Sequence, residues 1–424
     1  MTTSTPTITP ELRQARIAAS AAFAVHAMLL VALVTSLPSL VPILDIKLSQ
    51  VAYIVLALSI IAAVGSTLTT LLAKKTSSAF AIRLALGQLV VSGLILAFTP
   101  AAPHDARLPL FIVAIIVYGL TVGSIDATTN MQAVAIQRRY GRVILNSFHA
   151  SWSVGAIVGS LLVSAGQAVG ELIGKGPVKD AAGAIIEDPY LYARYMWTMI
   201  VVVAIIVVVA ILIAPKMLSY GKEKDSTVDE QGNKIPFAAP KKAFAVLCAA
   251  MAFFYAIDFG LQNWSPLYLE QVLMSDKAVA PLGVAFYTVF GLIARMSADK
   301  IVARFGETKT LAGAAIVSIV GMIIVLFAPN PIVAVAGFAI VGCGVPITAP
   351  LCFSTAGYMV PLSQMDEAVG RLNLFNYAGT VFGGGIVGLI TRGNLKLAMV
   401  FPLVMAILLL FTSPAFKRPE VIED

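Results

Sequence analysis

Two carboxylates stand where charge is expensive. Asp126 lies in GLTVGSIDATTNMQAVAIQRRYG and Asp258 in MAFFYAIDFGLQNWSPLYLEQ, each deep inside a long apolar stretch. A buried carboxylate without a partner is strongly disfavoured, so each must face a polar cavity, a hydrogen-bond donor or a proton. Asp126 and Asn130 are four residues apart and share a helix face. Thr129 and Gln132 extend the polar set, and Gly119 and Gly123 leave room for a neighbouring helix or ligand. Such a set can bind a polar solute and load a proton. The plainer use for it is an interhelical clamp.

Two further stretches carry chemistry. NSFHASWSVGAIVGS places His149, Trp152 and Ser153 at i, i+3 and i+4, with Gly155 and Gly159 at small-xxx-small spacing. A histidine can carry a proton near neutral pH, and a tryptophan can stack on a ligand or anchor at a membrane interface. In the stretch around Asp258, Gln262 follows at i+4, then Asn263, Trp264 and Pro266. A proline there frees a backbone carbonyl and predicts a kinked or broken binding segment; tolerated packing is the alternative. Cys248, Cys343 and Cys352 lie in apolar stretches without metal-ligand spacing, as small hydrophobes do. Phosphate-loop and HExxH sequences are missing, so neither catalytic residues nor a metal or cofactor is expected. The Gly-rich runs 337–346 and 379–388 lie inside apolar spans and predict close helix packing.

The elements that position these residues follow from composition. The chain is 59% hydrophobic and only 12% charged, with a mean hydropathy of +0.91; soluble domains carry roughly 25% charge. A membrane span needs about 20 apolar residues, and such stretches occur near 17–44, 51–73, 81–99, 109–137, 146–171, 192–215, 243–272, 281–299, 310–328, 332–360, 372–391 and 397–413. Twelve transmembrane helices are therefore expected, the first preceded by a polar start and retained. With the N-terminus inside and the spans alternating, 21 of the 29 lysines and arginines fall on the cytoplasmic side and 8 on the other. This bias predicts a multi-pass protein of the inner membrane with both termini cytoplasmic. The same distribution, in short loops and not a continuous groove, excludes nucleic acid as the partner of the +7 charge.

The longest polar stretch, 216–242, mixes both charge signs with Gly and Pro and predicts a cytoplasmic linker. It divides the chain into six-helix bundles at 1–215 and 243–424. A second long loop, 172–191, falls on the outer side. Weak similarity relates the halves: aligned on Gly65 and Arg295, Lys74 meets Arg304, while Asp299 meets Thr69. Parallel repeats around a midplane site are a transporter architecture.

RMSADKIVARFG, residues 295–306, resembles the loop motif of the major facilitator superfamily. By that resemblance Asp299, Arg295 and Arg304 are gating residues, the acid locking its loop to a neighbouring helix. SIDATTNMQAVAIQRRYGRVILNSFHASWSVGAIVG, residues 124–159, is similar to the branch containing the fucose–proton symporter and its uncharacterised bacterial inner-membrane relatives. The shared positions are Asp126, Asn130, Gln132, Gly141, Arg142, His149, Ala150, Trp152 and Ser153. DFGLQNWSPLYL also fits that branch, which usually has Glu where Asp258 stands. The resemblance implies sugar binding and proton coupling at Asp126. Two positions depart from the pattern: neither the loop after Gly65 nor residues 23–44 carry an acid.

The expectation is an all-α membrane protein, monomeric, that moves a small, sugar-like solute by alternating access with protons. Asp126, Asn130, Gln132, His149, Trp152, Asp258, Gln262, Asn263 and Trp264 line the path. Proton-driven export of drugs or metabolites is the alternative within the class. A membrane sensor or an intramembrane enzyme is the alternative outside it; the first lacks an output domain, and no acid on its helix orients His149 for the second.

Overall fold

The structure is a computed structural model that describes residues 8–46, 48–181, 185–219, 236–275, 279–386 and 394–417. It is helical almost throughout. Helices α1 (Pro10–Leu44), α2 (Leu48–Lys75), α3 (Ser78–Phe98), α4 (His104–Tyr140), α5 (Leu145–Leu172) and α6 (Leu191–Ile213) form the first half. The second half comprises α7 (Lys241–Gln271), α8 (Leu282–Phe305), α9 (Glu307–Leu326), α10 (Pro331–Gly344), α11 (Thr348–Tyr358), α12 (Met365–Val381) and α13 (Leu395–Thr412). The chain's polar residues mark helix starts: Thr9, Ser77, Asn330 and Asn394 each accept a hydrogen bond from a backbone N–H of the first turn.

Among the described residues, eleven spans are long and apolar enough to cross a membrane. The predicted tenth span is one of them, Pro331–Tyr358, built from α10, a 3-10 turn at Val345–Ile347 and α11. The predicted span 372–391 starts earlier, at Met365, and passes from α12 into a π turn at Phe382–Ile386. Its far end lies outside the described residues, as do most of the linker (220–235) and Lys47, Lys222, Lys224, Lys234, Lys277, Arg392 and Arg418 of the charge distribution. The loop between α5 and α6 holds a two-stranded antiparallel pair, Val178–Lys179 with Ile185–Glu187. Large apolar side chains cover the periphery; Trp197, Ile211 and Phe411 are more than half exposed, as lipid-facing residues are and soluble surfaces are not.

Pro266 does not break α7, which continues to Gln271; membrane helices tolerate proline where neighbours satisfy the freed carbonyl. The breaks fall instead at Val345–Ile347 and Phe382–Ile386.

In the first half α1 packs on α5 and α6, α2 on α4, and α3 on α4 and α6. In the second, α7 packs on α12 and α13, and α10 on α8 and α9. Across the middle, α2 meets α12, α5 meets α8, and α11 meets α4 and α5. The close approach of α1 and α5 requires Gly155: a Cβ there would stand 1.9 Å from the Ala24 carbonyl oxygen. The linker is anchored at both ends. Gln132 holds Leu218, and Gln364 holds Pro236 and Ala238.

Candidate functional site

Three half-buried charged side chains, Asp126, Asp258 and Arg295, stand near the middle of their helices. Asp126, on α4 of the first half, directs its carboxylate at α12 of the second. Its Oδ2 accepts hydrogen bonds from Asn376 Nδ2 at 3.0 Å and the Tyr377 hydroxyl at 3.2 Å. Gly123, one turn before, lets α4 touch α2 backbone to backbone, since a Cβ there would meet the Ala62 carbonyl oxygen at 1.9 Å. Asp258, on α7, is held within its own half. Its Oδ1 accepts from the Tyr287 hydroxyl at 2.5 Å and its Oδ2 from Gln262 Nε2 at 2.7 Å. Tyr255, one turn before Asp258, lies within electrostatic reach of both acids, so the two carboxylates belong to one polar region.

Arg295, expected from the sequence as a gating residue, also belongs there. The Pro346 carbonyl has no α-helical donor, because Pro350 stands four residues on and lacks an N–H. Arg295 Nε donates to that carbonyl at 3.1 Å, and its Nη1 donates to Ser153 Oγ on α5 at 2.7 Å. The guanidinium is within electrostatic reach of Asp258 and His149. His149 is sandwiched between Phe23 of its own half, with ring centroids 5.1 Å apart, and Phe353 of the other at 6.2 Å. Its Nε2 is buried without a hydrogen-bond partner.

The remaining sequence candidates divide. Asn130 is buried one turn from Asp126; its Nδ2 donates to the Asp126 carbonyl at 2.8 Å, and its Oδ1 has no partner. Trp152 is half-buried against the core. Asn263 donates back to the Phe259 carbonyl of its own helix at 2.7 Å, and Trp264 Nε1 donates to the Gly383 carbonyl at 3.2 Å, where the π turn lies. Gln132 is not brought to the midplane. Its amide donates to Ser78 Oγ at 2.9 Å and the Leu218 carbonyl at 3.0 Å and accepts from Leu218 N at 2.9 Å, tying α4 to α3 and the linker.

At the basic end of the molecule Asp299, on α8 of the second half, reaches the start of α5 in the first. Its Oδ1 accepts from Asn146 N at 3.1 Å and Asn146 Nδ2 at 2.9 Å, and its Oδ2 from Ser147 N at 3.1 Å. These are donors at the start of α5, where a helix favours negative charge. Arg304 is exposed, its guanidinium 5.3 Å from the ring centroid of its neighbour Phe305, and takes no described part in the contact. Nearby, Arg138 donates to the Val360 carbonyl at 3.0 Å, Gln137 to Ser354 Oγ at 2.8 Å, and Lys74 pairs with Glu367 at 2.7 Å.

Asn376, Tyr377, Tyr287 and Tyr255 were missed in the sequence. For the first two a signal exists: NLFNYAGT places Asn373, Asn376 and Tyr377 at i, i+3 and i+4 inside an apolar span, the same pattern that marked Asp126.

Comparison with known proteins agrees with this architecture. Residues 144–384 match the sequence profile of the Major Facilitator Superfamily. An uncharacterized MFS-type transporter of Yersinia pestis is 27% identical over 304 residues, covering 72% of this chain and 71% of its own. An uncharacterized transporter of Sinorhizobium fredii is 25% identical, covering 73% and 75%. Among solved structures, the transporter FucP in its outward conformation superposes with a TM-score of 0.75 at 17% identity, over 95% of this chain and 98% of FucP. The proton:xylose symporter XylE gives 0.67 at 14%, over 94% of each chain.

Proposed function

Because the chain belongs to the Major Facilitator Superfamily, we propose that it moves a small, sugar-like solute together with protons, with Asp126 as the coupling acid. The chain is a multi-pass membrane protein of the secondary-transporter type. The observation that supports proton-coupled movement is the bond between halves at Asp126. A charged carboxylate accepting two donors from α12 is a strong, charge-assisted tie. Protonation removes the charge and part of the acceptor capacity, so the tie between α4 and α12 weakens when the proton arrives. An acid that links a proton to the separation of two halves is what coupling requires. Asp258 ties only groups of its own half, which suits a solute-binding role better than a coupling one.

The two bodies in this reading are 1–215 and 243–424, joined by the linker 216–242, in a monomer of the inner membrane. The basic end, with both termini, is cytoplasmic. Its contacts at Asp299, Arg138 and Lys74 then close the cytoplasmic side, and the likeness to FucP in an outward conformation supports that state. Tyr255, Asp258, Gln262, Trp264 and His149 offer the hydrogen-bonding groups and ring faces that a sugar needs.

Purified protein in proteoliposomes tests the reading. Under an imposed pH gradient, one member of a panel of hexoses and pentoses is expected to accumulate, and a protonophore is expected to abolish the accumulation. Drug-like cations moving against the proton flux, with no sugar accumulated, would instead establish export.

A further inference from the structure

We propose that Arg13, Arg16 and Arg142, gathered around Tyr140, bind the phosphate headgroup of an anionic phospholipid. Arg13, Arg16, Ile17 and Ser20 follow one another on one face of α1, at i, i+3, i+4 and i+7. With Ile8, Tyr140 and Arg142 they line a cavity of about 470 Å³ between the start of α1 and the end of α4. Two guanidiniums flank the same ring: Arg16 lies 5.4 Å from the Tyr140 centroid and Arg142 5.9 Å.

Membrane orientation explains why arginines occur at this end. It does not explain why three converge on one cavity that no carboxylate lines among the described residues. Like charges brought together repel, and an anion offsets that repulsion. Guanidinium forks match phosphate oxygens in pairs, and basic pockets between spans suit lipid headgroups. A lipid source fits better than a soluble anion because the cavity has an apolar rim: Ile8 and Ile17 line it beside the arginines, and Ile17 is 69% exposed, where an acyl chain would lie.

The site also touches the gate. Arg16 Nη2 donates to Ser147 Oγ at 3.2 Å, Ser147 N donates to Asp299, and Arg16 is within electrostatic reach of that acid. A headgroup phosphate would compete for Arg16, so the lipid composition around the protein would bias how firmly the basic end closes. The binding itself does not depend on which solute is carried.

The test is native mass spectrometry of the full chain, exchanged between phosphatidylglycerol and phosphatidylethanolamine. The wild type is expected to retain phosphatidylglycerol preferentially. The Arg13→Ala/Arg142→Ala variant is expected to retain it roughly tenfold less. A charge-matched control at the same end, Lys75→Ala/Arg139→Ala, should stay within about twofold of wild type. Arg142 is exposed, so Arg142→Glu provides a well-folded second variant and should abolish the preference. Equal retention by wild type and Arg142→Glu overturns the proposal. Equal loss in the control overturns it in favour of diffuse charge. Displacement of the lipid by millimolar inorganic phosphate overturns it in favour of a soluble anion.

Discussion

Asp126 and Asp258 show how far a single residue type can be read alone. Both were conspicuous in the sequence because charge inside apolar spans is rare and costly, and the pairing of each with a residue at i+4 followed from helix geometry. Their partners were not legible. Asn376 and Tyr377 lie 250 and 251 positions from Asp126, and only the packing of α4 on α12 joins them. The partners of Arg295 were hidden for a related reason. It stands one turn from Asp299 in a recognisable motif, but its long side chain reaches toward the carbonyl that Pro350 leaves without a donor. Gln132 looked like an extension of the Asp126 face and is a fastener for the linker. The difference predicts separable phenotypes. Gln132→Ala leaves the Leu218 N–H and C=O buried without partners, a loss on the order of 1–3 kcal/mol. It should lower the melting temperature of the purified protein while the folded fraction transports at the normal rate per molecule. Loss of transport without loss of stability would return Gln132 to the solute path.

At the scale of elements, the two repeats meet their partners at the basic end in corresponding ways but with opposite charge. The end of α8 sends Asp299 to the first turn of α5, and the end of α2 sends Lys74 to Glu367 in the first turn of α12. Missing an acid after Gly65, the first half uses a lysine instead. The two contacts differ in strength. Lys74 and Glu367 keep 33% and 23% of their side-chain surface exposed, and such pairs contribute about 0–1 kcal/mol. Asp299 satisfies three donors at a helix start, so its removal exposes the larger cost. Asp299→Ala is expected to shift the gate equilibrium by on the order of 1–3 kcal/mol, reducing transport several-fold with solute affinity nearly unchanged. Lys74→Ala should do much less. Transport assays paired with equilibrium binding separate the two, and an affinity loss as large as the transport loss would remove Asp299 from the gate. Packing within a half makes a different prediction. Gly155→Ala would force α1 from α5, with a cost of about 1–3 kcal/mol, read as a lower melting temperature that is independent of solute.

For the molecule as a whole, hydropathy alone located most of the spans, since a bilayer demands long apolar helices and little else satisfies their backbones. It could not find the break at Val345–Ile347 or the early start at Met365, because polar helix ends and short 3-10 turns leave the average unchanged. Orientation rests on the charge bias. A cysteine replacing Glu230 in the linker is expected to resist impermeant thiol reagents in intact cells; labelling from outside would invert the topology. The central claim is that Asp126 couples a proton to the parting of the halves, and Asp126→Asn tests it most directly. Asparagine keeps the shape and can still accept from Asn376 or Tyr377, but it cannot take up and release a proton. The measurement is gradient-driven uptake in proteoliposomes, with solute exchange and thermal stability followed on the same preparation. The account predicts a folded variant that still exchanges solute but no longer concentrates it. A folded variant that concentrates solute at the normal rate would contradict it and pass the coupling role to Asp258.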